Sequence, residues 1–462
     1  MEPKAVILAA GKGSRMVDLT CQLPKCLLPV GGLPLLWYPL RLVQDAGIQS
    51  ALVVVSEAVL RDHKNDIAQI PAKHGLLINV ELCAVPGRED PGTADSLRHL
   101  RSADHLRPTQ PLLVLSCDLV TGCALRELLS AHLLRGAALT ALFAAPGDPT
   151  VSPAAVIAPG PKSRHKPERD LVGLAGPEQR LCLLASEADF EEEVELRLAV
   201  LRRHPKLLVR RDLLDAHLYL LAPGLLDFVD KSPQLSSLKG EVVPQVIRAQ
   251  YRRPRVQPCD DTAPAPAPAP APAAVHSANT YLRQPRFASL TARFAAPVEA
   301  EDVGRTSCFA VTTHALTWRV NTTAAYLAAN RAVTRLWETL PGERPPRLHP
   351  QANIPSGKVQ LSDDSVVGEG SSLSERSHIQ RSVVGRHCSL GPRVRLVDCV
   401  LMDHVTVHED CVLSNCILMN SSTAEAGAQL SDCLVGVNQV VEAGVKKNRE
   451  VVSQQSGHME VY

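Results

Sequence analysis

The C-terminal part of the chain repeats itself every 17 residues, and few folds tolerate that period. Ser365-Val366-Val367-Gly368 is followed by Ser382-Val383-Val384-Gly385, then by Cys399-Val400-Leu401-Met402, Cys416-Ile417-Leu418-Met419 and Cys433-Leu434-Val435-Gly436. Within each period further aliphatic residues sit six and twelve positions on. From Val367 they are Leu373 and Ile379, from Val384 Leu390 and Leu396, and from Leu401 Val407 and Leu413. From Leu418 they are Ala424 and Leu430, and Val441 follows Val435. An apolar residue every sixth position cannot form one face of a helix with 3.6 residues per turn. It fits a solenoid of three short flat sides, each aiming one side chain inward, with small residues such as Gly368, Gly385, Gly391 and Gly444 at the corners. Five such coils stacked at the inter-strand spacing make a prism roughly 24 Å long.

This pattern resembles the hexapeptide-repeat left-handed β-helix, an exception to the right-handed rule for crossovers, and it is expected over residues 355–447. Such helices often occur in acyltransferases that use a histidine base, and His404 and His408 invite that reading. No loop insertion interrupts the period to build such a site, so exposed surface histidines are the simpler expectation.

Residues 1–250 have a different texture. Continuous aliphatic runs (Ala5–Ala10, Ala51–Ser56, Leu76–Val85, Pro111–Cys117, Leu139–Ala145) alternate with helix-like stretches such as Leu35–Ala46 and Ala94–Leu100. Strands buried on both faces read this way, so a Rossmann-like α/β domain with a mainly parallel sheet is expected. An Ala-Pro tract over 263–274 lies in a Pro/Ala-rich insertion, 251–300. Alternate prolines disfavour helix and leave an extended, flexible spacer. Residues 301–345, with helical character over Thr322–Leu340, are expected to close the α/β domain. With aromatics at only 3%, the cores must be aliphatic. The formal charge of +1 gives no bulk field for nucleic acid, and no apolar run reaches membrane-spanning length. Thirteen cysteines without a C-x-x-C pair or a signal peptide read as reduced, mostly buried thiols of a cytosolic protein.

The chemistry-bearing residues cluster near the start. Leu8-Ala9-Ala10-Gly11-Lys12-Gly13-Ser14-Arg15-Met16 follows a strand, and Leu23-Pro24-Lys25-Cys26-Leu27-Leu28-Pro29-Val30 comes next. Glycines let backbone N–H groups approach phosphate closely, and Arg15 and Lys25 supply positive charge. Together with Gly92-Thr93-Ala94-Asp95-Ser96-Leu97 and Leu113-Val114-Leu115-Ser116-Cys117-Asp118, this resembles the nucleotidyltransferase domain of sugar-nucleotide pyrophosphorylases. The resemblance implies a nucleotide loop of Gly11, Gly13, Arg15 and Lys25, a nucleobase and sugar loop at Gly92 and Thr93, and Mg²⁺ at Asp118. Four departures stand along the substrate path. Asp18 adds a carboxylate beside the phosphate loop, His217 replaces the glycine that makes room for sugar, and Arg319 replaces an acidic residue. The Glu-Lys-Pro grip on sugar phosphate is missing from the acidic region Glu187–Glu195. The expectation is therefore a vestigial site with no catalytic residue, no resident metal (Asp118 being the one weak candidate) and no cofactor beyond residual nucleotide or sugar-nucleotide binding.

The order of domains resembles the gamma subunits of translation initiation factor 2B. Gly13 to Thr20, Leu35-Leu36-Trp37-Tyr38-Pro39-Leu40, Gly92 to Arg98, Leu113 to Asp118 and Val209 to Leu220 carry that resemblance. So do Arg319-Val320-Asn321-Thr322, Tyr326 and Ala329-Asn330-Arg331. It fails across about 251–300. It implies a regulatory and scaffolding subunit, not an enzyme by itself, of the guanine-nucleotide exchange factor that recycles initiation factor 2. The implied partners are the epsilon subunit, the other subunits of a decamer and initiation factor 2, without nucleic acid or membrane. In that family exchange activity resides in a C-terminal helical domain of epsilon, and none is expected before this chain ends at Tyr462. The alternative is a mannose-1-phosphate guanylyltransferase-like pyrophosphorylase.

Overall fold

A computed structural model describes residues 2–86, 92–148, 152–153, 156–160, 169–187, 193–251, 306–355 and 358–453. The Ala-Pro tract and the rest of 252–305 lie outside the described residues. The α/β domain is built on a ten-stranded sheet. Strand Lys4–Leu8 lies parallel between Ser50–Ser56 and Leu112–Ser116, and Asn79–Val85 extends this parallel half. The other half is largely antiparallel. Leu214–Leu221 runs against both Leu112–Ser116 and Leu139–Ala144, and towards the far edge Asp170–Ala175 lies antiparallel between Arg180–Ser186 and the edge strand Leu207–Arg210. The sheet is thus mixed rather than mainly parallel. The aliphatic runs report burial on both faces, which a central antiparallel strand shares. In Ser50–Ser56, for example, Ala51, Val53 and Val55 enter the core on one face and Leu52 and Val54 the core on the other.

The solenoid has three sides. The first is a ladder from Val366–Val367 through Val383–Val384, Val400–Leu401, Ile417–Leu418 and Leu434–Val435 to Val451–Val452, all parallel and in register. The second runs from Ser372–Leu373 to Val440–Val441, and the third from Gln360–Leu361 to Lys446–Asn448. Together the stacked parallel sheets form a left-handed β-helix. Its inward columns, including Val384, Leu390 and Leu396, make a separate apolar core. At the last coil of the third side Lys447 pairs with Leu430 and takes the position the column reserves for an aliphatic.

Corner residues are forced into left-handed backbone, which costs L-residues energy. Arg381 (φ 44°), Asp398 (φ 57°), Asn415 (φ 53°), Asp432 (φ 53°) and Arg449 (φ 54°) stack at one corner. Their polar side chains offset that cost by bonding from coil to coil. Arg381 binds Asp398 through two bonds of 2.7 and 2.8 Å, Asn415 donates to Asp432, and Arg449 pairs with Asp432.

The first side serves two cores. Val367, Val384, Leu401, Leu418 and Val435 point inward, while their neighbours Val366, Val383, Val400, Ile417 and Leu434 point outward. The outward set is at most 3% exposed, because it packs into the same core as Val333, Leu336 and Trp337 of the α/β domain. Helices Thr323–Arg331 and Val333–Thr339 supply this wedge. Polar contacts frame it: Arg331 pairs with Asp398 at 3.4 Å, Asn415 Nδ2 donates to the Ile157 carbonyl at 2.9 Å, and Gly160 N–H donates to the Asp432 carbonyl at 2.8 Å.

Among the described residues no helix is long and apolar enough to cross a membrane, and the described cysteines are free thiols, most of them buried. Because Ile417 is fully buried between the two domains, Ile417→Ala should cost about 2–5 kcal/mol. Urea denaturation monitored at the tryptophans, all three of which (Trp37, Trp318 and Trp337) lie in the shared core, measures it.

Candidate nucleotide-binding site

The glycine loop and Asp118 lie side by side at the ends of two interior strands because those strands pair. Leu8 stands opposite Ser116, and the Cys117 N–H donates to the Leu8 carbonyl at 3.0 Å. This is the carboxyl end of the parallel strands, where open α/β sheets bind ligands. Gly13 has φ 73°, and a Cβ there would lie 2.9 Å from Thr20 Cγ2, so the loop needs a glycine. Gly11 and Arg15 are exposed. Gly92 caps the helix Thr93–Ser102 against the chain at Ser236. A Cβ there would lie 2.2 Å from the Ser236 carbonyl oxygen, and Thr93 Oγ1 accepts from Leu238 N–H at 2.7 Å. Packing within the domain therefore accounts for both residues.

Lys25 and Asp118 are brought into direct contact, Nζ to Oδ2 at 2.5 Å. Lys25 sits in a turn, Lys25–Leu27, followed by a hairpin that the helix Thr323–Arg331 holds in place. Tyr326 donates to the Pro29 carbonyl at 2.7 Å, and Asn330 Oδ1 accepts from Gly31 N–H at 2.9 Å. Asp118 is 1% exposed and has a second cation. Thr317–Arg319 pairs antiparallel with Leu119–Thr121, which sets Arg319 opposite Leu119, and Val320 N–H donates to the Asp118 carbonyl at 2.8 Å. The guanidinium then reaches Asp118 Oδ2 at 3.3 Å and Oδ1 at 3.5 Å. Burial by itself would raise the Asp118 carboxyl, but the Arg319 and Lys25 charges outweigh it and hold the group well below its usual range.

His217 completes the group. It sits at φ 50°, where the register of Leu214–Leu221 against Leu139–Ala144 shifts between Asp215 and Tyr219. Glycine adopts that conformation freely, so the backbone keeps the bend while an imidazole fills the space. Asp215 fixes the bend by accepting from His217 N–H at 2.8 Å and from the Tyr219 hydroxyl at 2.5 Å. The imidazole Nε2 has no partner among the described residues. Burial, then the Arg319 and Lys239 charges, push its pKa well below 6.5.

A Mg²⁺ ion needs hard oxygen donors. Here the Asp118 oxygens carry two cations, and among the described residues no cluster of three or more His, Cys, Asp or Glu is placed to hold a metal. The donor set does not fit the ion. Sequence reasoning noted that Arg319 replaces an acid but missed its partner. The readable signal is the sign change itself, because an arginine facing a retained Asp118 makes a pair where two carboxylates would share a cation.

A nucleotidyltransferase-type α/β domain followed by a left-handed β-helix is the class defined here, and comparison with known families agrees. Residues 4–163 match the nucleotidyl transferase family and residues 351–446 the EIF2B subunit epsilon LbH domain. Over about half of its length the chain is similar to gamma subunits of translation initiation factor eIF2B. It is 28% identical to the Caenorhabditis elegans protein over 250 residues, 54% of this chain and 59% of the relative. It is 27% identical to the Schizosaccharomyces pombe protein over 255 residues, 55% and 53%. The match therefore spans little more than half the length of these relatives. A mannose-1-phosphate guanylyltransferase of Mycobacterium tuberculosis is 29% identical over 145 residues, 31% of this chain and 38% of that enzyme.

Two predictions follow from the geometry. Asp118→Ala leaves Lys25 and Arg319 buried without their counter-charge, so it should destabilise the fold by about 3–5 kcal/mol in urea denaturation at neutral pH. A carboxylate kept only as a metal ligand would show little loss. The second concerns pH. His217 is held neutral below 6.5 in the folded state, so the unfolded chain takes up a proton that the folded chain refuses. Stability should fall as pH drops from 6.5 towards 5, by at most about 1.4 kcal/mol per pH unit for each such histidine. His132, pushed by burial down to about 4, adds to the slope. His217→Asn, whose side chain tolerates the bend, should make the slope shallower in denaturation series across that range.

Proposed function

We propose that this chain is a non-catalytic, scaffolding and regulatory subunit of a guanine-nucleotide exchange factor acting on translation initiation factor 2. The observation that carries the reading is Asp118 closed in an internal ion pair with Lys25 and Arg319. A nucleotidyltransferase uses the corresponding carboxylate for a metal that offsets triphosphate charge, and here both of its oxygens face fixed side-chain cations instead. The similarity to two eIF2B gamma subunits supports the assignment to the complex. The direct partner in this reading is the epsilon subunit, whose β-helix family the present solenoid matches, within a larger cytosolic assembly. Gly11, Gly13 and Arg15 remain as a loop able to contact nucleotide phosphate without chemistry, and Gly92 and Thr93 as structural remnants of the sugar side.

Co-expression with a tagged epsilon subunit tests the assembly, and GDP release from initiation factor 2 tests its function. The pair should co-purify, and this chain should raise the exchange rate of epsilon while having none alone. Pyrophosphate release from GTP with a panel of sugar 1-phosphates, including mannose 1-phosphate, should stay at background. Mg²⁺-dependent turnover abolished by Asp118→Asn would overturn the proposal in favour of a working pyrophosphorylase.

A further inference from the structure

The ten-stranded sheet ends at Leu207–Arg210. That strand pairs on its inner side with Asp170–Ala175, from Leu207 opposite Ala175 to Arg210 opposite Val172. Among the described residues no strand takes its outer side, which leaves a row of backbone donors and acceptors of the kind a further strand can use. Leu208 is 59% and Val209 49% exposed. Consecutive strand residues point to opposite faces, so each face of this edge carries a bare aliphatic side chain.

The neighbouring helix Leu198–Arg203 extends the patch. Val200 anchors it against Ala175 and Cys182 of the two adjoining strands, while Leu198 and Leu201, three apart on its outer face, are 59% and 43% exposed. The segment itself is basic, between the acidic stretch Glu187–Glu195 and Asp212. Residues 196–211 contain Arg197, Arg202, Arg203, Lys206, Arg210 and Arg211 and no acidic residue, in a chain whose whole net charge is +1. Arg210 binds Asp212 and Arg211 binds Glu187, while Arg202 and Lys206 project at the surface. The segment has no Phe, Tyr or Trp, so it lacks the stacking platforms that single-stranded nucleic acid uses.

We propose that this edge receives an extended acidic segment of a partner protein. The segment adds as an eleventh strand outside Leu207–Arg210, rests its aliphatic side chains on Leu208, Val209, Leu198 and Leu201, and directs carboxylates to Arg202 and Lys206. Main-chain bonds supply affinity in such strand addition, and the side chains set specificity. The charge complement fixes the occupant as acidic, and the two-faced aliphatic edge fixes it as extended.

The test uses the full-length chain and fluorescein-labelled ten-residue peptides in anisotropy titrations at low salt. A peptide alternating Glu and Val should bind, weaken as salt is added, and exceed the same peptide with Lys for Glu by at least about tenfold. N-methylation of every second residue should cost at least about tenfold in one of the two registers and little in the other, because only one register donates to the edge. Leu208→Asp and the double variant Arg202→Glu/Lys206→Glu should each lose at least about tenfold, at unchanged melting temperature, and Lys206→Arg should bind as the parent does. The proposal is overturned if the Glu peptide does not bind at about 1 mM, if the Lys peptide binds as well, or if neither methylation register matters. It is equally overturned if a labelled oligouridylate binds more tightly, or if the charge-reversed variant keeps parental affinity.

Discussion

Everything in this molecule hangs on the aliphatic column that points out of the solenoid. A β-helix of this width needs only its inward columns to stand, and its outer faces can be polar. Here one side also buries Val366, Val383, Val400, Ile417 and Leu434 in the neighbouring domain's core. The helices on the other side of that contact carry Tyr326 and Asn330, which hold the Pro29–Gly31 turn and with it the hairpin behind Lys25. Solenoid, helical wedge and pocket therefore share one continuous packing, and side chains in such packing transmit strain rather than absorb it.

In the pocket two cations and one carboxylate are turned on one another. Lys25 remains where it could meet an anion, but its nearest anion is Asp118. Arg319 arrives on a strand whose register is set by Leu119–Thr121. The result is a buried triad of two cations and one carboxylate, with His217 held in its uncharged form by burial first and by the Arg319 and Lys239 charges after it. A buried ion pair contributes little net stability compared with apolar packing, but removing one member is expensive. The arrangement holds the Asp118 carboxylate against two side-chain cations at the carboxyl end of the central parallel strands.

How much of this the sequence disclosed follows from how local each cause is. The 17-residue period is a strict local rule, so the coils from Val366 onward were legible. The first coil was not: Leu348 pairs with Val367 and Asn353 with Ser372 at a spacing of 19, and Gln360 with His378 at 18. The outward column hid in plain view, since each coil carries two adjacent aliphatics and one inward column needs only the second. Strand direction in the α/β domain was illegible because burial on both faces looks the same in parallel and antiparallel strands. In the site, the glycine loop and the Lys25 and Asp118 motifs were read from short patterns. The Arg319–Asp118 contact joins residues 201 positions apart, and the left-handed bend at His217 depends on Asp215 reaching back to its backbone. Neither leaves a local signature.

A parallel ladder has no intrinsic length. Each finished coil offers the next the same backbone groups and the same inward socket, in this chain or in another copy. Lys447 closes that series, standing in the socket below Leu430 with Glu450 at 3.1 Å to hold its charge at the rim. A further coil stacked on it would have to bury an ammonium group against an aliphatic column, which is costly without a dedicated partner. Among the described residues the third side thus ends on an inward-column cation, the kind of charge that works against strand-on-strand stacking.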